Sequence, residues 1–292
     1  MGNAVEYEKR LTLFLDFLGF SEKVKSTEKD IETLNDLVDA LSDAAETANI
    51  GNAPDFQATQ FSDCLVISYR LDSPDALFEI INKLSLIVVI LAARGYLIRG
   101  GLTYGQLLHT DKVVVGPAMN RAYFLESKVA KAPRVILDPE IFNAALKKPK
   151  VEVLKVIKKF LKRDKDSDGK VSWFFDYFSW RSVVETVGAD SNAYPEYLKT
   201  LSGLIKAGLK NTDSGVLEKY VWMQKRYKAA RHDFIGTPDT HPARKRDPGY
   251  LEAIEKLPSL DKAAAKATKI IAKAEKERRK RDQCCESCVR RQ

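Results

Sequence analysis

Hydrophobic and polar positions along the chain predict alternating strands and helices over its first half. An unbroken apolar run with one charge, Leu11–Phe17, is typical of a buried strand, whereas apolar residues recur with a helical period from Asp30 to Asn49. A strand–turn–strand pattern follows over Phe56–Tyr69, and Ala76–Ala93 is predicted to be an apolar helix. The remaining predicted elements are a strand over Tyr96–Tyr104, a hairpin from Gly105 to Val115, a helix from Gly116 to about Ala130 and a strand over Arg134–Asp138.

This order of elements predicts an α+β fold. The elements follow one another as β-α-β-β-α-β-β-α-β, and the tight hairpins require antiparallel pairing. We therefore expect a ferredoxin-like domain, in which helices pack on one face of a mostly antiparallel sheet. We assign this domain to residues 1–180, a helical extension to residues 181–235, and a linker with a basic helical tail to residues 236–292.

The positive charge of the chain is concentrated in that tail. The 292 residues carry a formal net charge of +8. Residues 256–292 contain twelve Lys or Arg against five Asp or Glu, so the rest of the chain is nearly neutral. Nucleic-acid binding depends on clustered cations, and we therefore restrict any expectation of it to the tail, which contains the basic run Lys276–Arg281.

Further sequence features favour a soluble, cytoplasmic protein. The polar and acidic residues before Leu11 do not resemble a signal peptide. The longest apolar run, Leu84–Ala93, is about half of the roughly 20 residues that a membrane span requires. The cysteines, crowded into Cys284–Cys288 apart from one, do not form a disulfide framework.

Two acidic residues in apolar surroundings are the main chemical feature. Asp16 is the charged residue of the first strand, where an unpaired carboxylate costs free energy, and Asp63 follows Ser62 at the predicted hairpin tip. Each residue alone also fits a structural role in its turn. If the first strand lies beside the hairpin, however, both carboxylates converge at one sheet edge. With no His or Cys expected nearby, two oxygen ligands suit Mn²⁺ or Mg²⁺, which also recruit the phosphates of a substrate.

The residues after Asp16 predict a phosphate-binding turn. Gly19 ends the strand, and Phe20 and Ser21 begin a helix. Backbone N–H groups at a helix N-terminus bind phosphate. The sequence therefore indicates a nucleotide with a divalent metal ion.

Five ordered motifs resemble those of the class III nucleotidyl cyclases. They occur in the order and spacing of that family over roughly residues 8–180, and the ordered set is more specific than any single motif. The motifs are Leu15–Ser21, Phe61–Asp63, Arg99–Gly105, Val115–Asn120 and Leu125–Ser127.

The resemblance implies a homodimer with its active site at the interface between the subunits. It implies two ions of Mn²⁺ or Mg²⁺, held by Asp16, the Phe17 carbonyl and Asp63. The implied reaction converts a nucleoside triphosphate to a 3′,5′-cyclic monophosphate and pyrophosphate. Arg99 matches the position that contacts the leaving phosphates, and Asn120 matches the asparagine that orients the ribose.

The chain departs from the family at four positions. Ser62 replaces the usual glycine before the second metal aspartate. Phe124 stands at the position of the transition-state arginine, for which Arg121 is the candidate in the same helix. The two base-reading positions fall on Thr59 and Pro117, which match neither the Lys–Asp pair that reads adenine nor the Glu–Cys pair that reads guanine.

This combination resembles the bacterial pyrimidine cyclases of the Pycsar anti-phage systems. The resemblance implies synthesis of cUMP from UTP, or of cCMP from CTP, as a second messenger that activates a separate effector protein. We favour UTP because uridylate cyclases are the commoner members of that group, although no residue decides between the two bases.

Two other classes of function are compatible with the sequence. A cyclase-like module that senses a nucleotide without turning it over is favoured by Phe124 and disfavoured by the Asp16 and Asp63 pair. An RNA-associated factor that acts through the tail would lose affinity steeply with salt and on deletion of residues 250–292.

Overall fold

The fold is described here from a computed structural model. It describes residues 6–51, 55–73, 75–141, 157–165, 171–180, 183, 193–236, 238, 240 and 248–289. The chain divides into two compact units, Met1–Tyr197 and Leu198–Gln292. The boundary predicted after residue 180 and most of the predicted linker after residue 236 lie outside the described residues.

The described elements of the first unit form one mixed α+β domain. Its strands are β1 Glu8–Phe17, β2 Phe56–Phe61, β3 Cys64–Arg70, β4 Ile98–His109, β5 Val114–Val115, β6 Val135–Leu137, β7 Leu161–Lys165 and β8 Val171–Phe175. Its helices are α1 Phe20–Thr27, α2 Ile31–Asn49, α3 Ala76–Ala93 and α4 Pro117–Phe124, which continues as a π-helical turn over Leu125–Ala130.

The sheet has the topology of a ferredoxin-like fold. The strands are ordered β2-β3-β1-β4-β6-β8-β7, and β5 pairs with β4. Strand β1 lies between β3 and β4 and is antiparallel to both. Two β-α-β units are therefore each split by an intervening strand, which is the arrangement that defines this fold. Only β4 and β6 pair in parallel among the described strands, so the predicted α+β fold with a mostly antiparallel sheet is confirmed.

One face of the sheet forms the main core beneath α2 and α3. Leu11, Leu13 and Leu15 are completely or almost completely buried on this face, because side chains alternate along a strand. Leu11 is aligned with Tyr69 on β3, which is aligned in turn with Phe56 on β2. Lys83 of α3 lies 4.6 Å from the centre of the Phe56 ring, which places α3 over this face.

The opposite face carries α4. Phe14 points to this face and packs with Val66 and Ala122, and its ring meets that of Tyr123 edge-on at 5.8 Å. The expectation that the helices pack on one face is therefore wrong for α4. The helical period shows which side of a helix is apolar, but it does not show which side of the sheet that helix covers.

Local sequence explains where the helices begin. Asp30 is the N-cap of α2, and its side chain accepts hydrogen bonds from the backbone N–H groups of Glu32 and Thr33.

Helix α3 has the bounds predicted from the sequence. It is apolar and long enough to cross a membrane, with a mean hydropathy of 2.1, but 61% of it is buried inside the fold. Helix α3 is therefore a core helix of this domain.

Strand β4 is longer than expected. It runs without interruption from Ile98 to His109, and the turn to β5 lies at Thr110–Val113, where the Thr110 backbone N–H donates to the Val113 carbonyl. The glycines at 100, 101 and 105 do not end the strand, because glycine can also adopt the extended backbone conformation of a strand.

The second unit is helical. Helix α5, Ala193–Gly208, begins in the first unit, and α6 Ser214–His232, α7 Pro248–Glu255 and α8 Asp261–Val289 follow. The Gln224 amide of α6 donates to Asp261 at 2.7 Å, and the Tyr227 hydroxyl donates to the Pro258 carbonyl at 3.0 Å. The start of α8 is therefore fixed against α6, and the helices predicted for the extension and the tail are present.

Candidate active site

Asp16 lies near the end of β1, on the face that carries α4. Its direct neighbours in the sheet are Cys64 on β3 and Arg99 on β4. The side chain is about one-fifth exposed. The sequence suggested that Asp16 would be a costly buried carboxylate. The structure instead places it near the end of the strand, where its side chain can reach solvent and Arg99.

Asp63 is brought beside Asp16 by the β2–β3 hairpin. Phe61 pairs with Cys64, so Ser62 and Asp63 form a two-residue turn. Ser62 has a φ of +52°, in the left-handed region where glycine is cheapest. The Asp63 carbonyl accepts a hydrogen bond from the Phe17 backbone N–H at 3.2 Å, which ties the turn to the end of β1.

The two carboxylates and the Cys64 thiol can share one cation. One ligand atom from each of Asp16, Asp63 and Cys64 lies within 4.8 Å of the others. The predicted convergence of the two carboxylates is thus present. The expectation that no Cys lies nearby is wrong, because Cys64 follows Asp63 directly in the sequence and its side chain faces Asp16.

This donor set fits a divalent metal ion. The carboxylate oxygens suit Mn²⁺ or Mg²⁺, and the thiol adds a softer donor. The pKa of Asp16 is raised to about 6, chiefly by burial and then by the negative charges of Glu126 and Asp63, which together outweigh the opposing effect of Arg99. Burial and the same carboxylates raise the pKa of the Cys64 thiol to about 12. A cation at this position would offset the mutual repulsion of these negative groups, which contributes to both pKa shifts.

Arg99 bridges this group to a third carboxylate. Its Nη2 lies 3.4 Å from Asp16 Oδ2 and forms an ion pair with Glu126 Oε1. Glu126 is almost completely buried. We call Asp16, Asp63, Cys64, Arg99 and Glu126 the acidic cluster.

The turn after Asp16 has the predicted form. Gly19 is the N-cap of α1 with a φ of +75°, which an L-residue adopts only with strain. Phe20 and Ser21 are the first residues of α1, and its N-terminus therefore begins four residues after Asp16. The Phe17 side chain points to the opposite face and meets the Tyr96 ring at 5.9 Å. The roles of these residues in binding phosphate and of the Phe17 carbonyl in binding metal stay predictions.

The predicted residues of α4 lie at its exposed side. Pro117 is the first residue of the helix, and Asn120 and Phe124 are exposed. Arg121 Nε donates to Asp138 Oδ2 at 2.7 Å, and its guanidinium carbon lies 5.4 Å from the centre of the Phe124 ring. Among the described contacts, none joins Arg121 to the acidic cluster. The structure therefore places Arg121 with Asp138, and its proposed catalytic role would require it to leave this partner.

Thr59 is the outer end of a chain of hydrogen bonds. Arg10 Nε donates to Ser68 Oγ at 2.8 Å, Ser68 Oγ lies 2.8 Å from His109 Nδ1, and His109 Nε2 lies 3.0 Å from Thr59 Oγ1. We call these four residues the Arg10 cluster. Burial and the charge of Arg10 lower the pKa of His109 to about 4, so its ring is neutral at neutral pH. If Ser68 donates to Nδ1, then Nε2 donates to Thr59, and the Thr59 hydroxyl hydrogen is left to donate elsewhere.

Sequence reasoning missed Cys64, Glu126 and His109. Cys64 had a direct signal, its position next to Asp63. Glu126 lies in one of the quoted motifs, and its position four residues after the buried Ala122 was a signal that it faces inward. His109 contacts Thr59, 50 positions earlier in the chain, and no local pattern indicates that contact.

Comparison with known proteins gives likenesses of fold only. No model of a protein family matches the chain, and no curated relative matches it by sequence. The catalytic core of a rhodopsin-guanylyl cyclase with converted specificity, in complex with ATPαS, shares 18% identity and a TM-score of 0.40, over 58% of this chain and 96% of that one. A bacterial light-regulated adenylyl cyclase shares 15% identity and a TM-score of 0.40, over 62% of this chain and all of that one. The sequence identities and the TM-scores are too low to bear on the activity of this chain.

Proposed function

We propose that this protein is a pyrimidine nucleotide cyclase that converts UTP to 3′,5′-cyclic UMP and pyrophosphate. The observation that carries the proposal is the convergence of Asp16 and Asp63 beside Arg99 at one edge of a ferredoxin-like sheet. The sequence motifs that resemble class III cyclases predict this arrangement of three residues from three separate strands or turns.

The residues of the acidic cluster have distinct proposed roles. Asp16 and Asp63, with the Phe17 carbonyl, would hold two Mn²⁺ or Mg²⁺ ions. Such ions lower the pKa of a bound hydroxyl and neutralise a triphosphate. Arg99 would bind the leaving phosphates through its guanidinium, and the N-terminus of α1 would add backbone N–H groups. Asn120 would orient the ribose.

The reaction forms one bond and breaks one bond. The 3′-oxygen bonds to the α-phosphorus and loses its proton to solvent, while the bond from the α-phosphorus to the β-phosphate oxygen breaks and releases pyrophosphate. Positioning and charge neutralisation provide most of the rate enhancement in phosphoryl transfer. The residues at hand supply those two effects without a covalent intermediate.

The Thr59 hydroxyl would suit either pyrimidine base. A hydroxyl has one hydrogen to donate and two lone pairs to accept, so next to His109 it can still donate to the carbonyl of uracil or accept from the amino group of cytosine. The preference for UTP rests on the sequence resemblance. Neither Thr59 nor Pro117 offers the charged pair that reads a purine.

Exposed apolar residues support the proposed homodimer. Phe61, Val115, Tyr123 and Phe124 are each about half exposed, and they lie on β2, β5 and α4. Large apolar side chains at an interface between two subunits would be removed from water. A second copy of the chain would cover them and would complete the active site at its interface.

The product would serve as a second messenger. By resemblance to the Pycsar cyclases, cUMP would activate a separate effector protein during phage infection, and the cyclase would act in the cytoplasm. This part of the proposal rests on the sequence resemblance.

The test is to incubate the purified protein with Mn²⁺ and each of ATP, GTP, CTP and UTP, and to resolve the products by chromatography and mass. We expect cUMP from the wild type and none from Asp63→Asn. A cyclic purine would retain the cyclase and contradict the pyrimidine assignment, whereas cCMP alone would replace uracil by cytosine.

A nucleotide-sensing module is the second candidate, favoured by Phe124 at the arginine position and by the pairing of Arg121 with Asp138. It predicts that UTP or CTP binds with micromolar affinity and is recovered unchanged after long incubation with Mn²⁺. Calorimetry followed by product analysis separates the two candidates.

A further inference from the structure

Glu126 lies in an unusual helical turn, four residues after the buried Ala122. The last part of the α4 segment, Leu125–Ala130, is π-helical. A π-helical turn adds a residue to the helix and is frequent at functional sites. The turn approaches β4 at Gly101, where a side chain would meet the Ala122 carbonyl and would lie 2.6 Å from Leu125 Cβ. The missing side chain of Gly101 thus lets the turn lie against the sheet with Glu126 directed inward.

Glu126 takes up the Arg99 guanidinium. Its side chain is 3% exposed, and the ion pair that it forms with Arg99 Nη2 is the shorter of the two contacts that this nitrogen makes with carboxylates. Asp16 Oδ2 lies farther away, at 3.4 Å. Arg99 Nε is enclosed and has no hydrogen-bond partner among the described residues. Arg99 therefore lies between two carboxylates, in an ion pair with Glu126 on one side and in a hydrogen bond to Asp16 Oδ2 on the other.

The charges around Arg99 explain why a second carboxylate beside it is important. Asp16 and Asp63 attract any nearby cation, and an arginine on the neighbouring strand is always charged. A guanidinium bound fully to Asp16 would occupy the oxygens that a metal ion needs. A second carboxylate on the far side of Arg99 offsets this attraction.

We propose that Glu126 is a positioning residue that holds Arg99 beside Asp16 without letting it displace the metal ion. The proposal rests on the proposed function, because it assigns Asp16 and Asp63 to a divalent metal. Glu126 touches neither metal nor substrate in this role; it acts through Arg99.

The test is a double-mutant cycle on Mn²⁺ binding by the full-length protein, with free Mn²⁺ measured by electron paramagnetic resonance in the absence of nucleotide. Removal of the Glu126 charge weakens Mn²⁺ binding in two ways, by loss of a nearby negative charge and by release of Arg99 onto Asp16. Only the first effect exists when Arg99 is replaced by Met. We therefore expect Glu126→Gln to weaken Mn²⁺ binding at least about tenfold in the wild type, as outer-shell changes typically do, and clearly less in the Arg99→Met background.

An equal effect of Glu126→Gln in both backgrounds would show that Glu126 acts through its charge alone and would overturn the proposal. Arg99→Met alone provides a second test that does not depend on the folding of a Glu126 variant. It should change Mn²⁺ affinity less than about threefold, whereas a gain above tenfold would mean that Arg99 already blocks the metal position. The control is Asp43→Asn, which removes an arginine–carboxylate pair with Arg94 between α2 and α3 and should leave Mn²⁺ binding unchanged.

This experiment and the nucleotide test fail independently. If no nucleotide is turned over but the Mn²⁺ cycle shows the expected coupling, the proposed cyclase activity is wrong and the role of Glu126 holds. If cUMP is made but the coupling is absent, the activity holds and the positioning role is wrong.

Discussion

The face of the sheet that carries α4 has two polar clusters, and they accommodate buried charge in different ways. In the Arg10 cluster, the guanidinium pairs with Glu8 at 2.5 Å and donates to Ser68 and to the Asp55 carbonyl. Ser68, His109 and Thr59 then continue the chain of hydrogen bonds with no further charge. The acidic cluster instead combines three carboxylates with Arg99, which pairs with Asp16 and Glu126, and the pKa of Asp16 stays raised despite that arginine.

We interpret the difference as that between a cluster whose buried charge is satisfied by the fold and one whose charge would be satisfied by a ligand. A buried polar group that has its partners stabilises one arrangement of the chain. A group of like charges that the fold does not neutralise lowers stability. Such groups are most often found at functional sites, where a ligand of opposite charge can bind. The following predictions test this distinction, from the largest expected effect to the smallest.

Gly101→Ala should damage the acidic cluster most. The added Cβ would overlap the Ala122 carbonyl and the Leu125 side chain, so the π-helical turn must move away from β4. We expect a loss of about 2–3 kcal/mol in the free energy of unfolding, as overpacking of a core costs, together with weaker Mn²⁺ binding. Urea denaturation and Mn²⁺ titration measure the two effects.

Gly203→Ala on α5 is the matched control. A Cβ at this position meets nothing within 4 Å, so alanine in the helix should raise stability by about 0.5–1 kcal/mol. Equal stability of the two variants would contradict the close approach of the turn to β4.

His109 should make the Arg10 cluster sensitive to acid. Burial and Arg10 lower the pKa of His109 to about 4, below its ordinary value of 6.5. The unfolded chain therefore binds the proton more readily, and the stability contributed by neutral His109 is complete above pH 6.5 and is lost as the pH falls towards 4. We expect wild type to lose on the order of 2 kcal/mol more than His109→Gln across this window. Parallel denaturation curves for the two proteins at every pH would refute the assignment.

Cys64→Ser should change which metals the acidic cluster prefers. The thiol is a soft donor, so it favours Zn²⁺ or Cd²⁺ over Mn²⁺. We expect the serine variant to bind Cd²⁺ at least about tenfold more weakly, because loss of a direct ligand should cost no less than the loss of an outer-shell partner, with Mn²⁺ affinity nearly unchanged. Competition between the two metals, followed by the Mn²⁺ resonance signal, measures both. A parallel loss for both metals would show that Cys64 acts only through packing.

Ser62→Gly should have the smallest effect. Ser62 adopts a φ of +52° at the turn that presents Asp63, and glycine tolerates this conformation without strain. We expect a gain of about 0.5–1 kcal/mol in unfolding free energy, somewhat below the full cost of a left-handed residue because glycine also gains freedom when unfolded. Thermal unfolding checks the sign. A loss of stability would indicate that the Ser62 side chain contributes a contact.

The sequence predicted β1 and the β2–β3 hairpin, and it predicted the meeting of Asp16 with Asp63 on the condition that the first strand lies beside the hairpin, which the β1–β3 pairing fulfils. It did not predict the length of β4, because the glycines in that segment suggested an earlier turn. It did not predict the side of the sheet that α4 covers, since the apolar stripe of a helix is the same in either position. The contact of His109 with Thr59 also escaped prediction, because it depends on long-range packing at the end of an extended β4. The inward direction of Glu126 could have been predicted from its position four residues after the buried Ala122.

The most direct test of the central claim is diffraction from crystals grown with Mn²⁺ and a non-reactive UTP analogue, with data collected at the manganese absorption edge. We expect an anomalous peak at coordination distance, about 2.0–2.6 Å, from carboxylate oxygens of both Asp16 and Asp63, with the triphosphate of the analogue beside it. Bound analogue with no manganese between these two carboxylates would contradict the assignment of the acidic cluster as the metal site of a nucleotidyl cyclase.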